Sequence, residues 1–173
     1  MRIPRLRQQD GTTCGPAVAV MAAALLDPGY RPVLAAQGRF SDEQRRVHAS
    51  INVLWPRRLG TTPSAVSRAI TVLSGGTRYR WRLWWGRRDG LSDVLDALDA
   101  GRPVAMLVGR VIPRHWVLLV DVAGEMLECY EPSSGELRAV DLDAVRFARL
   151  TNVGYPRPFA FVLPRLSTRS ATA

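Results

Sequence analysis

The apolar residues of this chain change their spacing between Gly76 and Tyr79, and that switch limits the folds open to it. Upstream they recur at helical intervals. Gly15 to about Leu26 is a run of small and aliphatic residues with Pro16 in its first turn, where a missing N–H is harmless. Asp27-Pro28-Gly29 ends it. Ser41-Asp42-Glu43-Gln44 has the form of a capping box, and Val47, Ile51, Leu54 and Trp55 follow at helical spacing until Pro56. A third helix is predicted from Thr62-Pro63, with Val66, Ile70 and Leu73 on one face and Gly75-Gly76 as its end signal. Downstream the period becomes that of strands. Tyr79, Trp81, Leu83 and Trp85 alternate with Arg78, Arg80 and Arg82, the pattern of a strand with its aromatic face in the core. A helix over Leu91 to Ala100 closes at Gly101, and Asp141 to Phe147 reads as a short helical stretch. The remaining segments read as strands: Pro103 to Val108, His115 to Val122, Met126 to Tyr130 and Phe159 to Leu163. Helices first and antiparallel strands after predict an α+β fold, with the helices on one side or end of a sheet.

The length, 173 residues, is that of one domain, expected over 1–166 with a frayed tail over 167–173. Hydrophobic residues make up 47% of the chain, enough for a packed core and too much for a disordered one. The formal charge of +9 comes entirely from arginine. Such charge suits an anionic partner, and arginine interleaved with aromatics over Arg78 to Arg88 is how single-stranded nucleic acid is stacked and held. The other arginines are scattered, however, and a half-buried strand accounts for the interleaving. Nucleic-acid binding is therefore the lesser alternative. Arg2, Arg5 and Arg7 ahead of an apolar run imitate a secretion signal, but Asp10, Cys14 and Pro16 interrupt it. No stretch reaches the roughly 20 apolar residues of a membrane span. A cytoplasmic protein is expected.

Of the two cysteines, Cys14 and Cys129, the first sits where a polar turn, Gln8 to Thr13, meets the apolar helix. A free thiol with a pKa of about 8.5 is mostly protonated near neutral pH, and a helix N-terminus beside an imidazole lowers that value. The unpaired N–H groups of the first turn point at such a sulfur and are also suited to hold a developing oxyanion. Gly15 permits close backbone approach. Cys129 lies in an apolar strand and reads as a core thiol.

A reactive thiol needs a base, and the chain has two histidines. His48 falls inside the predicted Ser41 to Trp55 helix and reads as an ordinary helix residue. His115 opens the strand His115-Trp116-Val117-Leu118-Leu119-Val120, where a polar ring can reach out of the sheet. A third group should accept the ring's other N–H. Asp121, Glu125, Glu128 and Glu131 are candidates. Asp121 shares a face with His115, but the strand between them spans roughly 20 Å. Glu131 ends the next strand, before the turn Pro132-Ser133-Ser134-Gly135, and in an antiparallel hairpin that end lies beside the start of the previous strand. Glu131 is the best placed. No cofactor or metal is expected: the Cys and His spacings match no zinc pattern, and Gly75-Gly76 lacks the Lys and Ser/Thr of a phosphate loop.

Gln8 through Ala17, with Cys-Gly-Pro-Ala entering a small-residue helix, resembles the N-terminal motif of papain-fold cysteine peptidases, in particular the C39 and C39-like group. Gly60-Thr61-Thr62-Pro63 before a helix and Leu98 through Val104 entering a strand are similar to segments between that family's catalytic halves. His115-Trp116-Val117 resembles its histidine strand, and Tyr130-Glu131-Pro132 falls where it usually has Asp-Pro. The resemblance implies a papain-like fold with the nucleophile helix packed on a C-terminal antiparallel sheet. It implies Cys14 as nucleophile, His115 as general base and acid, and Glu131 in the third position in place of the usual Asp or Asn. Gln8, six residues before the cysteine, matches the glutamine that completes the oxyanion hole, with Gln9 as the alternative. A peptide or protein substrate follows, in leader-peptide or small-protein processing. The alternative on the same fold is a catalytically weakened peptide-binding domain, which the Glu at position 131 supports.

Overall fold

The computed structural model describes residues 14–27, 29, 42, 46–47 and 61–165. Gln8, Gln9, His48, Gly60, most of the helix expected from Ser41 to Trp55, and the tail over 167–173 lie outside the described residues.

Helix α1 (Cys14–Leu26) is buried from Cys14 through Ala24. A helix apolar on every side has to be surrounded. It packs against α2 (Pro63–Leu73) and against strand β3 (Pro113–Ala123), and its alanines let those neighbours come close. The approach is tightest at Gly15, where a Cβ would stand 2.6 Å from Thr61 Cβ. Gly15→Ala is therefore expected to lower stability by about 1–3 kcal/mol, as overpacking does, and to displace Cys14; urea unfolding and thiol labelling of that variant measure both effects. Thr62 caps α2 by accepting the Ala65 N–H at 3.3 Å, and Pro63 occupies the first turn.

After α2 come β1 (Tyr79–Leu83), a single 3-10 turn (Gly86–Arg88), α3 (Ser92–Asp99) and β2 (Val104–Gly109). Beyond β3 lie β4 (Met126–Glu131), β5 (Glu136–Asp141), α4 (Leu142–Arg146) and β6 (Arg157–Pro164). The strands form one antiparallel sheet in the order β1-β6-β2-β3-β4-β5. Strand β5 has no counterpart in the sequence-based expectation, because Glu136 to Asp141 carries little apolar signal at an edge where most of it faces water. The last strand does not flank the sheet but is inserted between β1 and β2.

The helices are not confined to one side, as their order suggested. Helices α1 and α2 cover one face, over Ala105, Leu107, Trp116 and Leu118. Helices α3 and α4 cover the other, over Val104, Met106, Val117 and Leu119. With both faces covered, β2 and the middle of β3 have to be apolar at successive positions, which is why those segments read as unbroken apolar runs.

Strand β1 reverses the expected polarity. Trp81 and Trp85 are 47% and 67% exposed, Leu83 is exposed too, and Arg82 is only 8% exposed. The arginine is buried because two carboxylates meet it: Asp89 at 2.6 and 3.1 Å, and Asp93 at 2.6 and 2.7 Å. Its guanidinium also lies 4.9 Å over the rings of both Trp85 and Phe161. Tyr79 alone keeps the expected place on the aromatic face, buried with its hydroxyl donating to the Pro103 carbonyl at 2.9 Å. Arg82 is thus withdrawn from the surface on which a nucleic-acid reading would place it.

Candidate active site

Cys14 is the first residue of α1, so the unpaired backbone N–H groups of that helix's first turn surround its backbone. Its side chain is buried. Thr61, packed against Gly15, also ties α1 to the sheet: its carbonyl accepts the Trp116 indole N–H at 2.9 Å, one residue along β3 from His115.

His115 pairs with Val108 across β2, and Pro113 pairs with Gly109, which leaves Arg114 as an extra residue. Across the other edge of β2, Val108 pairs with Pro158 and Leu107 with Ala160, so Phe159 is extra there. Two bulges thus meet around Val108. Bulges bend a strand and re-aim its side chains, and here they do so at the strand end that bears the imidazole. The His115 ring interacts electrostatically with Cys14 and is hydrogen-bonded to Glu131, with 2.7 Å from Nε2 to Glu131 Oε1. Since Nε2 is taken, Nδ1 is the nitrogen left for the sulfur.

Glu131 sits at the end of β4. Leu118 is paired with Tyr130, so continuing that register would set Glu131 opposite Val117, with His115 as its diagonal neighbour. A diagonal gap is spanned by a long side chain. The carboxylate is fixed by its own turn: Ser133 N–H donates to Oε1 and Ser134 N–H to Oε2, each at 3.0 Å. Gly135, at φ 72°, lets the turn close with its N–H on the Glu131 carbonyl at 2.8 Å. The extra methylene relative to Asp is absorbed by folding the side chain back over residues 132–134.

The charges follow from these contacts. Burial pushes the His115 pKa down, but the Cys14 and Glu131 hydrogen bonds and charges outweigh it and hold the ring at about 9. Burial raises the Glu131 carboxyl, yet His115 and the Ser133 backbone and hydroxyl donors pull it down to about 2. A raised imidazole favours folding below its ordinary 6.5 and loses that contribution as pH climbs through about 9. A depressed carboxyl favours folding above its ordinary 4.5 and loses that contribution as pH falls through about 2. Both contributions are complete between those two ordinary values, so stability is expected to be greatest there; urea midpoints across pH measure it.

Cys129 is fully buried among the side chains between the sheet and α3 and α4, and burial pushes its thiol pKa far up. Both cysteines are free. Asp121, an early candidate for the third position, is exposed and accepts the N–H of Val122. Among the described residues no three His, Cys, Asp or Glu side chains gather as a metal site would need. Sequence reasoning did not find Tyr155, whose ring lies 5.9 Å from the His115 ring at 35°, nor Arg138, which lines a cleft together with His115 and Tyr155. Neither carries a local signal, because each comes from a strand or loop that only the folded sheet brings near.

The helix bearing a cysteine at its start, packed on an antiparallel sheet that carries the histidine, is the papain-like peptidase fold. No protein-family model and no curated protein sequence matches the chain. Among solved structures it is similar to a double glycine motif protease from an AMS/PCAT transporter, determined in complex with the leader peptide. That match has a TM-score of 0.57 at 15% identity and covers 96% of this chain and 93% of the other. It is similar also to the peptidase domain of Streptococcus ComA, a bifunctional ABC transporter of a quorum-sensing pathway. There the TM-score is 0.53 at 17% identity, covering 92% of this chain and 97% of the other. The fold is therefore that of double-glycine peptidase domains. Among the described residues no helix is long and apolar enough to cross a membrane.

Proposed function

We propose that this chain is a C39-like cysteine peptidase that cleaves a peptide bond through a Cys14 thioester. The observation that supports the reading is the His115–Glu131 hydrogen bond, with Cys14 close enough to act on the same ring, within a fold shared with a double glycine motif protease. The sulfur attacks the substrate carbonyl with its proton held on His115 Nδ1, a ring that is charged below about 9, while Nε2–H stays on Glu131. Negative charge on the carbonyl oxygen is met by the N–H groups at the start of α1, joined by the side-chain amide of Gln8, or of Gln9. The imidazolium then gives its Nδ1 proton to the departing amine, leaving the acyl group on sulfur. Water, deprotonated by the same nitrogen, releases the acyl group as a carboxylic acid and restores the thiol. Glu131 is the positioning residue: it keeps the ring in one orientation and favours its charged form. The substrate class is a peptide, and a small-residue cleavage site in a leader or small protein fits the structural neighbours.

Expulsion of the amine needs the imidazolium, so cleavage falls as pH rises past about 9, where His115 loses its proton. Glu131→Gln removes a negative partner and moves that alkaline limb down by about 1 unit or more. Fluorogenic peptides with a Gly-Gly site, followed from pH 5 to 10, test both. A flat profile above neutrality, identical in the two proteins, would falsify the assigned role of His115.

A further inference from the structure

On the Glu131 side of His115 lies a cleft of about 260 Å³, lined by Arg114, His115, Glu131, Arg138 and Tyr155 among others. Cys14 is not among its lining residues. Its charge balance is unusual. The Glu131 carboxylate is already engaged by His115, Ser133 and Ser134. Arg138 directs Nη1 to the Asn152 carbonyl at 2.7 Å and is 3.8 Å from Glu136, which leaves other guanidinium donors uncommitted. Arg114 is exposed, displaced outward as the bulged residue next to His115, and makes no hydrogen bond or ion pair among the described residues. Two arginines therefore line the cleft together with the imidazole, one of them with no carboxylate partner among the described residues.

The place of the cleft tells which part of a substrate it meets. The acyl half of a scissile bond is held against Cys14 and the start of α1. The amine half is the one protonated by His115, and the residues attached to it continue past the ring. The cleft lined by that same ring is the nearest place to receive them. Resting on the peptidase reading above, we propose that it is a specificity site for an acidic side chain on the amine side of the scissile bond, held by Arg114 and Arg138, with the Tyr155 ring as an apolar wall. A carboxylate takes paired donors from a guanidinium fork, and the cleft has room for an Asp or Glu side chain.

The test needs no turnover. The chain has two histidines, so in ring-labelled protein the His115 resonance is identified as the one that survives in His48→Asn. It is followed during titration with the dipeptide amides Glu-Ala, Gln-Ala and Lys-Ala, which mimic the departing half of a substrate. Glu-Ala amide is expected to bind about tenfold more tightly than Gln-Ala amide, with Lys-Ala amide weakest. Arg114→Gln and Arg138→Gln each reduce that preference and the double variant abolishes it, whereas Arg88→Gln, an exposed arginine elsewhere, leaves it intact. Arg114 is exposed, so its variant is expected to fold even if Arg138→Gln does not. Equal affinity for all three amides would overturn the proposal, as would a preference that survives Arg114→Gln undiminished or disappears equally in Arg88→Gln. A preference that holds in a protein with no peptidase activity would keep the acidic site and discard the peptidase reading; cleavage without the preference would do the reverse.

Discussion

Cys14→Ala is expected to abolish peptide cleavage, by about 10⁴-fold or more, since the proposed nucleophile would have no substitute in the site. Labelling of the native protein by iodoacetamide should vanish in the same variant. Cys129→Ala is the matched control. That thiol is enclosed in the core with its pKa pushed up by burial, so its loss should leave labelling and cleavage in place. The expected penalty is about 1 kcal/mol, that of removing one small buried group. Mass spectrometry of labelled wild type and both variants gives the answer. Label of equal extent in the two variants would remove the case for a special thiol at the head of α1.

The largest expected effect on folding lies far from that site. Arg82→Ala should destabilise the protein by about 3–5 kcal/mol, the range seen when one member of a buried ion pair is removed. The cause is what remains. Asp89 is 2% exposed, and although it also accepts the Trp85 and Leu91 N–H groups, its charge would lose its only guanidinium partner among the described residues. The buried Phe161 ring would face a void. Adding Asp89→Asn to Arg82→Met removes the stranded charge and fills part of the space, so the double variant should be more stable than the sum of the two single losses predicts. Urea denaturation of the four proteins measures the coupling, and simple additivity would show that Arg82 and Asp89 do not act as a pair.

Much of the site is legible along the chain because its parts carry local signals. A cysteine before Gly-Pro and a small-residue helix announces a helix start, and a histidine heading an apolar strand stands out when the chain has only two. Glu131 was reachable through hairpin geometry, since β3 and β4 are joined by a short turn at Gly124-Glu125. Its cradle was not. That depends on how the turn over 132–135 folds back on the carboxylate, and nothing in the residue types fixes that direction.

The polarity of β1 is the clearest case of a local rule yielding to distant partners. Taken alone, an arginine between aromatics belongs outside. Arg82 is inside because the turn and helix that follow bring Asp89 and Asp93 to it, and the exchange leaves Trp81 and Trp85 exposed.

From its sequence alone this chain announced a helical half, a strand-rich half and the residue types that could do thiol chemistry, because periodicity, caps and turn residues act over a few neighbours. Only the tertiary structure decided which strands pair, where the sheet bulges beside His115, and which charges are buried together. Those outcomes depend on contacts between segments far apart in the chain, and such contacts leave no local pattern.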